Sequence, residues 1–230
     1  LIVGGMCVAL SCGIAIQVRT ISRIGTTTSR NSTENELRDA ILRTKENYDN
    51  LYANEEKAEK LLEDERKSAT ENNSELAEIQ ENIKTLSTQL GLTDVTGKGV
   101  IIKVDDAMVQ STFDPNSTIV HDADLISIVN ELKNAGAEAI SINDQRIVSN
   151  TVIECIGAVI KINGQRVGAP FTIKAIGMPE LLKNTYRNGG YLKVLEGDRI
   201  QVDFKTSDNI TIPKYTGTYK FEYAQTINNK

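Results

Sequence analysis

The only histidine of the chain, His121, stands beside two aspartates in the run His121-Asp122-Ala123-Asp124-Leu125. A histidine oriented by a carboxylate is the material of a general base. A base needs a group to activate, and the chain has neither a Gly-x-Ser-x-Gly elbow nor a reactive-cysteine signature. The structural alternative is helix capping by Asp122 and His121. Asp124 would then sit in the first helical turn, where the helix dipole favours negative charge. Capping is the expectation, and no catalytic residue is assigned.

A second concentration of polar chemistry lies in Ser141-Ile142-Asn143-Asp144-Gln145-Arg146-Ile147. Asn143, Asp144, Gln145 and Arg146 leave the end of a short apolar run, and strand ends are where α/β sheets bind ligands. An arginine fork matches a carboxylate or phosphate, and the two amides offer donors and acceptors. These four residues are therefore a candidate binding loop for a small anion. The alternative is architectural: Arg146 pairs with Asp105 or Asp106, and Asn143 bonds loop backbone.

Other chemistries are poorly served. One histidine is too few for a convergent metal site. The run Thr96-Gly97-Lys98-Gly99-Val100 is not a phosphate loop, and no Gly-x-Gly-x-x-Gly follows a strand. No cofactor and no metal are expected. Cys7, Cys12 and Cys155 have no paired spacing and read as small buried apolar residues. The net charge is −5. It runs from basic (Arg19, Arg23 and Arg30, with no acid before residue 34) to strongly acidic over 34–92 and nearly balanced beyond. No dense basic face is offered, so nucleic acid is not an expected partner.

These residues need elements to position them. His121 or Asp122 starts a helix whose apolar face is Leu125, Ile128, Val129 and Leu132, closed by Asn134 to Gly136. Residues 99–106 and 137–143 read as strands, with 107–120 a polar loop between the first strand and the helix. Residues 150–164 and 165–177 read as extended runs joined by an Asn163-Gly164 hairpin turn. Pro179 begins a second helix over 179–190, and 198–213 ends in a strand. The order predicts an α+β domain over 95–225: a ferredoxin-like βαββαβ sheet with an extra β-hairpin.

Two segments precede it. Residues 1–18 carry no charge and are read as a transmembrane helix, truncated at its start because the chain begins with Leu1. The run is too long for a signal-peptide core, and Ala9-Leu10-Ser11-Cys12 fits a lipoprotein site poorly. Residues 31–90 contain neither Gly nor Pro and hold a four-three register from Leu37 to Leu90. Twelve of its sixteen positions are apolar, strongest in Leu76, Ile79, Ile83, Leu86 and Leu90; Thr44, Glu55, Glu65 and Asn72 interrupt it. A sustained 3.5-residue repeat predicts a coiled coil about 80 Å long, and hence a homodimer or a coiled-coil partner. A solitary amphipathic helix folded onto the domain is the alternative.

The runs "TDVTGKGVIIKVDD", "HDADLISIVNELKNAGAEAISINDQRI" and "FTIKAIGMPELL" resemble the bacterial family of unknown function numbered 881, the YlxW/YlxX-like proteins. The specific motifs are His-Asp-x-Asp-Leu, Asn-Glu-Leu and Ser-Ile-Asn-x-Gln-Arg-Ile. The resemblance covers the domain and the order anchor, coil, domain. It implies a single-pass protein of the Gram-positive plasma membrane with the domain extracytoplasmic, whereas Arg19, Arg23 and Arg30 alone would favour a cytoplasmic C-terminus. It also implies a link to cell division or the envelope, and no established reaction. Asp144 stands where the family more often has glycine. The function expected is that of a non-enzymatic, membrane-anchored interaction protein; the alternative is a sensing domain that binds an anion at Asn143–Arg146.

Overall fold

A computed structural model describes residues 2–70, 74–109, 115–187, 189–220 and 222–224; the side chains of 2–16, 18–33 and 35 fall outside that description. The chain divides into two compact units, Leu1–Ala77 and Glu78–Lys230. The first is dominated by one helix, α1 (Ile2–Thr70), and a second, α2 (Ser74–Gln89), begins within it and ends in the next unit. From residue 31 onward α1 has neither Gly nor Pro and is rich in strong helix formers, which favours helix there. The anchor expected at 1–18 lies, Gln17 apart, where side chains are not described. Among the described residues no helix is long and apolar enough to cross a membrane.

The end of α2 is set by its sequence. Gly91 has φ +76; its N–H donates to Thr88 O, and that of Leu92 to Ser87 O. This is a Schellman stop, with glycine at the one position that requires a left-handed backbone.

The domain is a mixed α+β fold. Its first strand is β1 (Val95–Asp105), followed by a 3₁₀ turn at Pro115–Thr118 and helix α3 (Asp122–Asn134). Strands β2 (Ala139–Ile142) and β3 (Gln145–Arg146) form a hairpin. Then come β4 (Ile153–Ile156), β5 (Val159–Ile162), β6 (Gln165–Val167) and β7 (Phe171–Ile176). The chain closes with helices α4 (Pro179–Arg187) and α5 (Tyr191–Gly197) and strand β8 (Gln201–Ile212). The main sheet has the order β3-β2-β7-β1-β8, antiparallel at every neighbouring pair; β4-β5-β6 form a second, smaller sheet.

Alternation explains the packing. Val100, Ile102 and Val104 of β1, Ile140 and Ile142 of β2, and Ile173 and Ala175 of β7 share one face. They meet Leu125, Ile128 and Leu132 of α3, Leu182 of α4, Leu192 and Leu195 of α5, and Ile160 and Ile162 of the small sheet. The opposite face holds only a small cluster of Ala139, Ile176, Ile210 and Ile212.

Three expected elements take a different form. The run 150–164 turns back at Gly157, φ +66, so it makes two strands. The run 165–177 breaks over Gly168–Pro170 and divides between the two sheets. The helix expected over 179–190 stops at Arg187 as α4, and α5 follows as a further, unexpected helix whose N-cap, Gly190, lies against the α4 carbonyl of Thr185. The Asn163-Gly164 turn forms as expected, with φ +51 and +85.

Candidate functional site

The first cluster is the start of α3. His121 is its N-cap residue, in extended conformation, and its backbone N–H donates to Asp124 Oδ2 at 2.7 Å. This is the reciprocal half of a capping box, made with aspartate. Asp122 therefore occupies the first helical position rather than the cap. Its carboxylate instead accepts the backbone N–H of Cys155 (3.0 Å) and of Ala123 (2.8 Å), tying α3 to the outer strand of the small sheet, where Cys155 is exposed on the edge rather than buried as expected. Those donors, Cys155 foremost, hold the Asp122 carboxyl below the ordinary carboxylate value.

The imidazole of His121 lies 3.7 Å from Asp124 Oδ2 through Nδ1 and 3.2 Å from Asn116 Oδ1 through Nε2. Both face a cavity of about 240 Å³, lined also by Ser117, Asp198 and Ile200. Asp124 is spent structurally: Oδ1 accepts the hydroxyl of Tyr191 at 2.7 Å while Oδ2 serves the cap. The hydrogen bond to Asp124, with burial, pushes the Tyr191 phenol up to about 12. Tyr191 also donates its backbone N–H to Glu131 Oε1 at 2.8 Å, so one residue of α5 is held by two acids of α3. Nothing in the spacing of Tyr191 marks it as a partner of residues 60 or more positions away. Among the described residues no group of three His, Cys, Asp or Glu could hold a metal ion.

The second cluster is the β2–β3 turn. Asn143 and Asp144 have φ +45 and +63, the two left-handed positions of a type I′ hairpin. Asp144 thus adopts the backbone that a glycine would take, a geometry Asn and Asp tolerate. Asn143 is bound into the sheet: its Oδ1 accepts the Thr172 N–H at 2.6 Å, and its own N–H donates to Thr172 O. Asp144 is exposed and pairs with Lys174 Nζ at 2.6 Å. Gln145 is half-buried.

Arg146 is only 4 % exposed. Its Nη1 donates to the carbonyls of Thr93 (3.3 Å) and Pro213 (3.4 Å), and its stem passes beside Gly91. Neither Asp105 nor Asp106 is its hydrogen-bond partner. Those two acids instead order the loop after β1, Asp106 accepting the Val120 N–H at 2.8 Å. Arg146 is a strut joining the chain after α2 to the chain after β8. Burial lowers its pKa from the ordinary value. Asn163 caps the same residue's carbonyl at 2.7 Å. The turn therefore presents Asp144, Lys174 and part of Gln145 to solvent and keeps the guanidinium inside.

Comparison with known proteins agrees with the sequence motifs. Residues 82–225 match the family described as "Bacterial protein of unknown function (DUF881)". The chain is 34% identical to UPF0749 protein YlxW of Bacillus subtilis over 139 residues, 60% of each chain. It is 27% identical to UPF0749 protein YlxX of the same organism over 184 residues, 78% of this chain and 77% of that one. UPF0749 protein Rv1823 of Mycobacterium tuberculosis is 27% identical over 66% of this chain and 53% of its own length. The match thus spans less than two thirds of YlxW and about half of Rv1823. The crystal structure of an uncharacterized conserved protein from M. tuberculosis superposes with a TM-score of 0.52 at 26% identity, covering 64% of this chain and 99% of that one. This chain belongs to the DUF881 family of bacterial proteins, the YlxW/YlxX-like family.

Proposed function

We propose that the chain is a non-enzymatic interaction protein: a membrane anchor at 1–18, a coiled coil over 31–90 that associates two copies, and a domain that meets an envelope or division partner outside the membrane. One observation carries this reading. Leu76, Ile79, Ile83, Leu86 and Leu90 are 39–57 % exposed on α2 and its C-cap, a regular apolar stripe that stays half open to solvent among the described residues. Such a stripe gains by pairing with another helix. The chemistry of the domain points the same way. Asp122, Asp124 and Arg146 are each bound to backbone or to tyrosine rather than gathered around a reacting centre. The sensing alternative asks Arg146 to grip an anion, and its burial weighs against that.

The strand order β2-β7-β1-β8, with α3 crossing from β1 to β2 and α4–α5 from β7 to β8, supports a ferredoxin-like reading of the domain. In that reading β4, β5 and β6 are an insertion between its second and third strands.

The test is a cross-linked pull-down of the full-length protein from native membranes, beside an Asp144→Lys/Gln145→Ala variant that leaves Arg146 in place. Envelope or division proteins lost from the variant would make the turn a partner surface. Recovery of the whole chain in the soluble fraction, without detergent, would overturn the anchor. An unchanged partner set would move recognition to the coil.

A further inference from the structure

Strand β8 ends the main sheet, and among the described residues no strand pairs with its outer edge. An open edge this long is a template for another strand. The stretch Gln201–Ser207 pairs with β1 in unbroken register, and a bulge opposite Gly97/Gly99 interrupts the pairing beyond Ser207. Phe204 is the midpoint of the unbroken stretch.

We propose that this edge pairs with the same edge of a second copy, antiparallel and centred on Phe204. The reasons are symmetry and charge. In a two-fold antiparallel pair, equivalent contacts must be of one hydrogen-bonding type, and opposed pairs alternate between types along the strands. The axis must therefore pass through a residue facing its own copy. Centring on Asp203 or Lys205 sets like charges directly opposite each other. Centring on Thr206 sets Phe204 against Asp208, and centring on Val202 or Ser207 leaves Asp203 and Lys205 with only each other, 3.9 Å apart within one chain, and no opposite charge across the edge. Centring on Phe204 sets Asp203 opposite Lys205 of the second copy, twice. Both side chains are exposed, at 66% and 61%, on the face away from the main core. On the helix-covered face the same register brings together the two Phe204 rings, each already stacked on Tyr186 with centroids 5.0 Å apart. Opposite charges and aromatic rings are favourable cross-strand pairs.

The test uses the whole chain with Cys7, Cys12 and Cys155 replaced by serine and one exposed cysteine introduced. In the proposed register the two Thr206→Cys positions lie roughly 14 Å apart, and two Asp208→Cys positions roughly 27 Å apart. A bismaleimide whose reach falls between these distances is expected to link Thr206→Cys chains and to leave Asp208→Cys chains unlinked. Adding Asp203→Lys should cut the Thr206→Cys yield about tenfold, because two attractions become two repulsions. The exchange Asp203→Lys/Lys205→Asp should restore it. Equal yields at both positions, no yield at either, or no rescue by the exchange would overturn the pairing. So would coupling of Thr206→Cys to a different protein in native membranes instead of its copy. Light scattering on the uncross-linked Asp203→Lys chain, whose edge is blocked, reads association through the coil separately, so failure of one does not imply failure of the other.

Discussion

Asp124 and Arg146 show how polar residues that look reactive in a sequence become structural in a fold. Asp124 satisfies the cap of α3 with one oxygen and Tyr191 with the other. Replacing it with alanine removes both, and a loss of about 1–2 kcal/mol is expected from the cap alone, read by urea denaturation. The pH dependence has a definite sign. Tyr191 is bound as a neutral donor, so its folded pKa of about 12 stands above the unfolded value of about 10. Its contribution is fully present below pH 10 and is lost as pH rises through 12. Asp124→Asn should bring the Tyr191 titration back down, read as phenolate absorbance against a Tyr191→Phe control. Arg146→Ala strands the carbonyls of Thr93 and Pro213 and should cost about 2–3 kcal/mol in the same denaturation assay, the scale of hydrogen bonds to a charged group. Arg146→Lys keeps the charge but loses the planar fork, and should recover only part of that.

At the scale of elements, what the sequence foretold is what short-range chemistry controls. The Leu125-Ile128-Val129-Leu132 stripe placed α3, the Gly- and Pro-free run that stops at Leu90 placed the end of α2, and Asn163-Gly164 placed a hairpin. What escaped depends on distant neighbours. The run 165–177 divides because its halves join different sheets, and Tyr191, the first residue of α5, is held by Glu131 and Asp124, 60 and 67 positions away. The candidate site was legible to the same degree. The turn at Asn143-Asp144 is dictated by residue type, whereas the burial of Arg146 depends on Thr93 and Pro213, 53 and 67 positions away. Gly99 gives an element-scale test. A Cβ there would lie 1.9 Å from the Ala175 carbonyl oxygen on β7, which is backbone and cannot swing aside. Gly99→Ala should prise β1 from β7 at one end and destabilise the domain by about 1–3 kcal/mol, the range for an overpacked site. Gly168→Ala, with open space around it, is the control and should change the thermal midpoint little.

For the whole molecule, the question is what the apolar stripe of α2 is for. Ile79 and Ile83 are 48% and 39% exposed, close to half of each side chain's surface. Full burial of such a side chain is worth about 1.5–3 kcal/mol, so covering the exposed half in a dimer contributes about 1 kcal/mol per residue per chain. Replacing both with lysine removes that gain from two chains and adds like charges across the seam. The dimer dissociation constant should rise by more than about a hundredfold, at about 1.4 kcal/mol per factor of ten. Sedimentation or light scattering in detergent of the full chain carrying Asp203→Lys, which blocks the β8 edge, is expected to show a dimer that adding Ile79→Lys/Ile83→Lys converts to monomer. The helix should track the oligomer: an isolated amphipathic helix lacks the packing that sustains it in water. The far-ultraviolet circular dichroism of the wild type should therefore melt with a concentration-dependent midpoint, and the variant should lose helicity at lower temperature while its domain transition stays in place. A wild-type monomer with a concentration-independent melt would refute association through the seam. The apolar stripe would then be a surface for a helix of another protein.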